Sequence, residues 1–433
     1  MVLPPGQRGL GASPSNDFVA AGARMPLADV ARATAHWRAF LANAPAHPGE
    51  AVFAGRGVVI GGGGLRYMVP AWVALHALRR ANCTLPVEIW LPAHEAPPAG
   101  SGIEDALRRM GATVRTTDDI LPHASSVVFS RYAFKAAALL FSRFEEVLWL
   151  DADNVALRDP EAAIFDSDAF RTSAAGMLLW RDHWAPSAAP DAARVLQLDA
   201  NVPIMPPWTC ESGQLAMHKR RAWEVALLAL FMNLQAPLYY RLLSSYLGAG
   251  DKETWPAAAA ALRRPAAWVA APPGAAGVAW PPGGDAARPT AVRSNAMLQH
   301  APEGVGGELL FVHNNYFKWT LADIASDGSS EDEPPRRWRV MTPPGWDAES
   351  AAQAEAAGAR TAWLPAPAAL RDTEAAAWRA LRALRCAPWF DAYAAERRTR
   401  HGEVMPDRIA GESAVFKGVV LSEHAGGRFK PRG

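Results

Sequence analysis

The chain has 433 residues, half of them hydrophobic, with 44 Lys and Arg against 43 Asp and Glu. That length holds one large α/β domain with additions, or two to three average ones. The balanced charge lacks the basic excess of a nucleic-acid binder, and no polybasic block argues for an anionic membrane surface.

The three cysteines, Cys83, Cys210 and Cys386, match no zinc spacing and give no disulfide framework, although one pair could form in an oxidising compartment. Asn82-Cys83-Thr84 is an N-glycosylation sequon. No apolar run reaches the roughly twenty residues a membrane helix needs. Met1 to Asp17 has no apolar segment of a signal peptide. Membrane association would therefore need a missing anchor or a partner. The 17 Trp suggest a core rich in buried indoles, with flat faces for sugars as the other use.

In chain order, residues 1–25 read as a flexible lead. From Asp29 a helix is expected, with Val30, Ala33, Trp37, Phe40 and Leu41 on one face. Lead and helix make an N-terminal region, 1–50. Gly57 to Ile60 reads as a short buried strand, followed by Gly61 to Gly64. Trp72 to Leu78 has helical spacing. Val87 to Leu91 is a second strand and Ala112 to Arg115 a third. Phe134 to Phe144 reads as a helix leading into a strand that ends at Asp151. Alternating strands and helices predict an α/β fold with a mostly parallel sheet. Further on, Arg220 to Leu234 is an expected helix. The Ala/Pro/Gly-biased stretch 256–289 reads as a helix stub and an inserted loop. Leu309 to Val312 is a short strand ending at His313. A polar, acidic link covers Ser326 to Pro335, and 326–433 reads as a linker and C-terminal extension with one amphipathic helix near Thr373 to Arg385. The catalytic domain is then 51–325.

The strongest chemical signal is Val147-Leu148-Trp149-Leu150-Asp151-Ala152-Asp153-Asn154. In an extended chain, Asp151 and Asp153 point to one side. At the carboxyl end of a buried strand, that side is where α/β folds bind ligands. Two carboxylates there suit Mn²⁺ or Mg²⁺, and such a cation suits a diphosphate. The same pattern fits the nucleophile motif of haloacid-dehalogenase-type phosphatases, with Asp151 attacking phosphorus. In those proteins, however, the motif opens the domain, whereas here two βα units precede it.

Other groups are weaker alone. Gly61-Gly62-Gly63-Gly64 permits close approach to a phosphate. It has no Gly-Lys-Ser/Thr, and Arg66 stands where a dinucleotide fingerprint has Gly. Glu211-Ser212-Gly213-Gln214 offers an acid and an amide around an expected tight bend. Arg181-Asp182-His183-Trp184 sets a carboxylate among indoles, and Asp182, beside Trp180 and Trp184, is a candidate for gripping a hexose. Gly250-Asp251-Lys252-Glu253-Thr254 is dense in charge. His313-Asn314-Asn315-Tyr316-Phe317-Lys318 follows a strand, so His313 could complete a metal site and Lys318 could neutralise a leaving diphosphate.

In this order the segments resemble the fungal-type Golgi α-mannosyltransferases of glycosyltransferase family seventy-one. The likeness runs through roughly residues 55 to 320, including Phe134 to Leu140 and Phe144 to Asn154. It implies a GT-A fold: a Rossmann-like, mostly parallel mixed sheet flanked by helices, fused to an acceptor half. It implies a nucleotide-sugar donor, GDP-mannose first, with Mn²⁺ or Mg²⁺ and a glycan or glycoprotein acceptor, and no nucleic-acid partner. It implies Golgi location, which the missing anchor puts in question. Carried over, Asp151, Asp153 and His313 are the metal ligands. Gly61, Gly62, Gly63 and Tyr67 line the nucleotide. Lys135, Asp182, Glu211 and Gln214 surround the donor sugar, Lys318 touches the diphosphate, and Asp251 and Lys252 form a charged donor loop. The expected reaction is retaining transfer, either on the face the nucleotide leaves or by double displacement, with Asp182 as nucleophile and Gln214 as polar stabiliser. A UDP-sugar donor, an aspartyl-nucleophile phosphatase and an inactive glycan-binding protein are the alternatives.

Overall fold

The computed structural model describes residues 25–120, 132–184, 186–199, 204–244, 250–280, 291–302, 308–315, 318–320, 337–342, 364–401 and 420–422. The lead (1–24) and the acidic link lie outside these residues. Helix α1 (Leu27–Ala42) comes first, then β1 (Arg56–Gly61), α2 (Gly64–Arg80), β2 (Val87–Leu91), α3 (Ile103–Arg109) and β3 (Ala112–Thr116). Next are α4 (Ala133–Phe141), β4 (Glu146–Leu150), β5 (Asn154–Ala156), α5 (Asp168–Thr172), β6 (Met177–Arg181), α6 (Pro190–Val195) and β7 (Cys210–His218). Then follow α7 (Lys219–Leu234), α8 (Ala236–Leu243), α9 (Thr254–Ala261), β8 (Ala267–Trp268), β9 (Gly274–Trp280), β10 (Ala291–His300) and β11 (Leu309–His313). The last are β12 (Val340–Met341), β13 (Leu364–Pro365), α10 (Ala368–Arg385), α11 (Phe390–His401) and β14 (Val420–Ser422).

The larger sheet has the order β3-β2-β1-β4-β7-β6-β8. Its first four strands are parallel, and β7 runs antiparallel to both β4 and β6. These strands read as near-continuous apolar runs because both faces are covered. Val58, Ile60, Leu148 and Leu150 face the core shared with α2 and α10, while Val59, Val147 and Trp149 face the core shared with α1, α4 and α7. Alternate residues thus serve opposite layers.

The second sheet has the order β13-β12-β9-β10-β11-β5. It corrects two expectations. Residues 274–280 are not loop but β9, which pairs with both β10 and β12. The C-terminal segment is not an appendage: β12 extends this sheet, and Leu370, Trp378 and Leu381 of α10 are buried in the core that α2 shares. Trp72 of α2 donates to the Ala380 carbonyl at 3.0 Å, which pins α10 in place.

The two sheets meet where β4 passes into β5. Three residues, Asp151 to Asp153, make that corner. All three cysteines are free, with Cys83 and Cys210 buried and Cys386 exposed.

Candidate active site

The corner brings the chemistry together. The two acids are not spaced by strand alternation, as the sequence suggests. The strand ends at Leu150, and the Asn154 amide donates to the Asp151 carbonyl at 2.9 Å, closing a turn. Each side of the turn is then fixed by a neighbouring strand. On the β7 side, Leu150 pairs with Gln214, and the Asp151 amide donates to the Gly213 carbonyl at 2.8 Å. On the β11 side, His313 pairs with Asn154, and the Asn314 amide donates to the Asp153 carbonyl at 2.9 Å. An imidazole 160 residues distant in sequence is thus set against the turn by ladder register.

One ligand atom each from Asp151, Asp153 and His313 lies within 4.8 Å of the others. His313 Nε2 is 3.5 Å from Asp153 Oδ1 and 3.9 Å from Asp151 Oδ2. Its Nδ1 is 3.1 Å from Glu211 Oε1. With a cation in place, the carboxylate beside Nδ1 would keep the ring proton there and leave the Nε2 lone pair to the metal, the usual arrangement behind a metal-binding histidine. Two carboxylates and an imidazole fit a divalent cation of the Mn²⁺ or Mg²⁺ kind.

Gly213 makes the approach possible. A Cβ there would lie 2.5 Å from His313 Cε1 and Nδ1, and 2.8 Å from Glu211 Oε1. The segment Glu211 to Gln214 is the middle of β7 rather than a bend, and its glycine supplies space, not a turn.

Charge is dense and buried. Lys135, at the start of α4, has its Nζ 3.2 Å from Asp151 Oδ1 and 3.3 Å from Asp251 Oδ2, and it donates to Ser212 O at 2.7 Å and Oγ at 3.0 Å. Trp149 Nε1 donates to Asp151 Oδ1 at 2.7 Å. Gly61 leaves room for that indole, since a Cβ there would meet Trp149 Cη2 at 3.0 Å. Lys318 bonds Asp153 Oδ2 and lies 5.4 Å from the centre of the Tyr67 ring. Lys252 donates to Asp182 Oδ2 at 2.7 Å and lies 3.6 Å from Glu253 Oε1.

These pairings set protonation. Burial alone would raise the Asp153 pKa, but Lys318 and His313 outweigh it and hold the carboxyl below its ordinary range. Burial opposes ionisation of Glu211 too, yet His313 and the Gly213 amide hold it at about 2. Burial would lower His313, but Glu211 and Asp153 push it well above its usual value in the metal-free protein. Burial, against the pull of Lys252, raises Glu253 to about 7.

The residues expected from the sequence fall into three groups. Asp151, Asp153, Glu211, His313, Lys135 and Lys318 converge on the corner. Asp251 joins them through Lys135, and its Oδ2 accepts from Trp255 Nε1 at 3.2 Å. Asp182 and Lys252 form a neighbouring pair, but the Asp182 carboxylate is fully engaged: Oδ1 takes the His183 amide at 2.6 Å and Oδ2 takes Lys252. Trp180 is wholly buried, and its Nε1 donates to the His300 carbonyl at 2.9 Å. Gln214 is also wholly buried, accepting from Asn154 Nδ2 at 2.6 Å, so it braces the turn from behind.

At the glycine run, Gly61 belongs to β1 and Gly62 donates to the Trp90 carbonyl at 2.7 Å. Gly63 has φ +113°, a backbone that only glycine adopts readily, with the Glu95 carboxylate filling the space of a Cβ. Helix α2 starts at Gly64 with no side-chain cap. Tyr67 lies in its first turn, with Lys318 Nζ 5.4 Å from the centre of its ring. Trp149, Ser212, Gly213 and Glu253 are the residues whose part sequence reasoning missed. Only Gly213 carried a signal, as a glycine inside an otherwise strand-forming run.

The Mannosyl_trans3 family of mannosyltransferases matches residues 55–206 and 203–301 of this chain, more than half of it. Among curated proteins, Alpha-1,2-mannosyltransferase MNN22 of Candida albicans is 32% identical over 254 residues, covering 47% of this chain and 40% of that protein. Alpha-1,2-mannosyltransferase MNN2 of Saccharomyces cerevisiae is 30% identical over 251 residues, covering 48% and 40%. The chain thus spans about two fifths of the length of these relatives. Among solved structures, the galactosyltransferase LgtC aligns with TM-score 0.32 and 12% identity over 49% of this chain and 73% of that one. The glycosyltransferase GlyE of Streptococcus pneumoniae TIGR4 aligns with TM-score 0.29 and 17% identity over 46% and 42%. At those scores no residue is carried across. The parallel half-sheet and the acidic corner agree with the mostly parallel α/β sheet expected from the sequence, and the chain belongs to the Mannosyl_trans3 family of mannosyltransferases.

Proposed function

We propose that the chain transfers mannose from GDP-mannose to a glycan or glycoprotein, forming an α linkage with retention, and that Asp151, Asp153 and His313 hold the divalent cation it needs. The observation that carries this is the convergence of those three side chains, with Glu211 behind the imidazole, inside a mannosyltransferase family. The relatives' names supply mannose and the α linkage.

A cation at this position would neutralise charge on the diphosphate as it leaves. The protein's own groups do the rest. The glycine run Gly61 to Gly64, where β1 passes into α2, lets the phosphates come close to the backbone. Tyr67 walls the nucleotide side. Lys318 adds positive charge on the leaving side. Lys135 and Trp149 hold Asp151 in one rotamer. Because the His183 amide and Lys252 already hold the two Asp182 oxygens, front-face attack fits better than double displacement, with the Asp182–Lys252 pair standing beside the sugar. A departing phosphate oxygen then accepts the acceptor proton. The phosphatase reading loses support, since Asp151 is clamped by Lys135 and Trp149 rather than presented for attack.

The resemblance also proposes work in the Golgi. No helix among the described residues is long and apolar enough to cross a membrane.

The test is calorimetric titration with GDP-mannose, GDP-fucose, UDP-glucose and UDP-galactose, with Mn²⁺ and with chelator. GDP-mannose is expected to bind alone among the four, and only with metal. Binding should vanish in Asp153→Ala. Preference for a UDP-sugar overturns the donor assignment, and no metal-dependent binding to any of them overturns the transferase reading.

A further inference from the structure

We propose that Lys318 is the exchangeable counter-ion of Asp153: it neutralises that carboxylate in the free protein and gives it up to the divalent cation, moving to the donor's diphosphate. The inference rests on the reading that Asp151, Asp153 and His313 hold a cation.

Two lysines serve the two corner acids, and they are built differently. Lys135 is 8% exposed at its side chain, and Asp151, Asp251 and two Ser212 oxygens surround its ammonium. An ammonium has three protons to give. Lys135 is therefore locked, and its bond to Asp151 leaves Oδ2 of that residue toward His313. Among the described residues Lys318 bonds the Asp153 carboxylate alone, and its side chain is 26% exposed. Its second neighbour is the face of Tyr67, a resting place that costs little to leave.

Asp153 cannot stay unpaired. Its side chain is 4% exposed, and a buried carboxylate without a counter-charge is strongly unfavourable. A divalent cation on Oδ1, in reach of His313 Nε2, supplies that charge and makes Lys318 redundant and repelled. The freed ammonium lies between Asp153 and Tyr67, the residue that the sequence places on the nucleotide. A diphosphate arriving with the cation offers it a new partner.

Removal of the ammonium must therefore act in opposite directions on two ligands. In Lys318→Met, Mn²⁺ alone should bind about threefold or more tighter, because nothing competes for Asp153. GDP in saturating Mn²⁺ should bind about tenfold or more weaker, because a charge-assisted bond to phosphate is lost. Lys318→Arg should restore GDP binding. Thermal unfolding gives the second readout. Without metal, Lys318→Met should melt below the wild type, and Mn²⁺ should close that gap. Lys318→Gln repeats the measurements should the Met variant fail to fold. Mn²⁺ affinity unchanged or reduced in both variants overturns the proposal, and so does loss of both affinities together. Wild-type protein that binds no Mn²⁺, or binds it equally in Asp151→Ala, overturns the underlying metal reading itself.

Discussion

Gly213→Ala is the sharpest perturbation of the corner. The new methyl would stand 2.5 Å from two atoms of the His313 ring and 2.8 Å from Glu211 Oε1, where ordinary contact begins at 3.4 Å. The ring must retreat by most of an ångström. It is 6% exposed and held by β11 against the turn, so it has nowhere open to go. Overpacking of this kind costs about 1–3 kcal/mol. Metal–ligand distances tolerate only about 0.2 Å of error, so the displaced imidazole should no longer ligate. Loss of outer support for a ligand lowers metal affinity about 10–100-fold, and Gly213→Ala should fall in or beyond that range. The backbone bonds of Gly213 survive, because its carbonyl still accepts the Asp151 amide. Urea unfolding measures the first effect and Mn²⁺ calorimetry the second. Reduced stability with unchanged Mn²⁺ affinity would refute the reasoning, because His313 could then move without consequence for the metal.

Three other outcomes follow from the same contacts. Lys135→Met leaves the buried Asp251 and the half-buried Asp151 without their shared ammonium and should cost about 3 kcal/mol by guanidinium unfolding; a loss near zero would show that the two acids do not depend on it. Glu211→Gln keeps an acceptor for the Gly213 amide at 2.6 Å but removes the charge behind His313, so Mn²⁺ affinity should drop about tenfold while the melting temperature changes little. Lys219, buried under the Phe53 ring, is pulled down to about 7 by burial, against about 10.4 for an unfolded lysine. Between those values the unfolded chain binds the extra proton, so stability should rise as pH climbs from 7 toward 10. In Lys219→Met that slope should flatten by about 3–5 kcal/mol over the interval; an unchanged slope in pH-dependent melts would count against a displaced lysine.

The four parallel strands of the larger sheet were legible because burial on both faces leaves an unbroken apolar run, whereas β6, β7 and β8 were not read as strands. Val87 to Leu91 is read at both ends as the structure has it, and β4 misses by one residue. Of the second sheet only β11 was legible. Its strand β9, Gly-Ala-Ala-Gly-Val-Ala-Trp, has the composition of a loop. Its small residues have a packing cause instead: a Cβ at Gly274 would lie 2.8 Å from Thr342 Oγ1 and 3.3 Å from Leu298 Cβ. No local pattern announces such crowding, because both neighbours come from other strands. Asp151 and Asp153 were legible as a pair for the wrong reason, since a turn and not alternation converges them. Lys135 was reached only through resemblance, because one lysine in an apolar helix has no spacing to be read. His313 was placed by a ladder register, which is a property of two strands and not of either sequence alone.

The charge around the corner constrains how ligands can arrive. Among the described residues, Asp151, Asp153, Asp182, Glu211, Asp251 and Glu253 face the cations Lys135, Lys252, Lys318 and His313 alone. An excess of buried carboxylate repels a diphosphate, and low local polarity strengthens the repulsion. Glu253, raised to about 7, relieves part of this by holding its proton near neutrality. The remainder has to come from a cation. A donor approaching without metal would meet net negative charge and a lysine already committed to Asp153. A cation approaching first would displace that lysine and turn the corner from repelling to attracting phosphate. Metal and donor binding should therefore be strongly synergistic, each raising the affinity of the other by one common factor. That factor, measured as the ratio of GDP affinities with Mn²⁺ and with chelator, should shrink in Lys318→Met, where the commitment to Asp153 no longer exists.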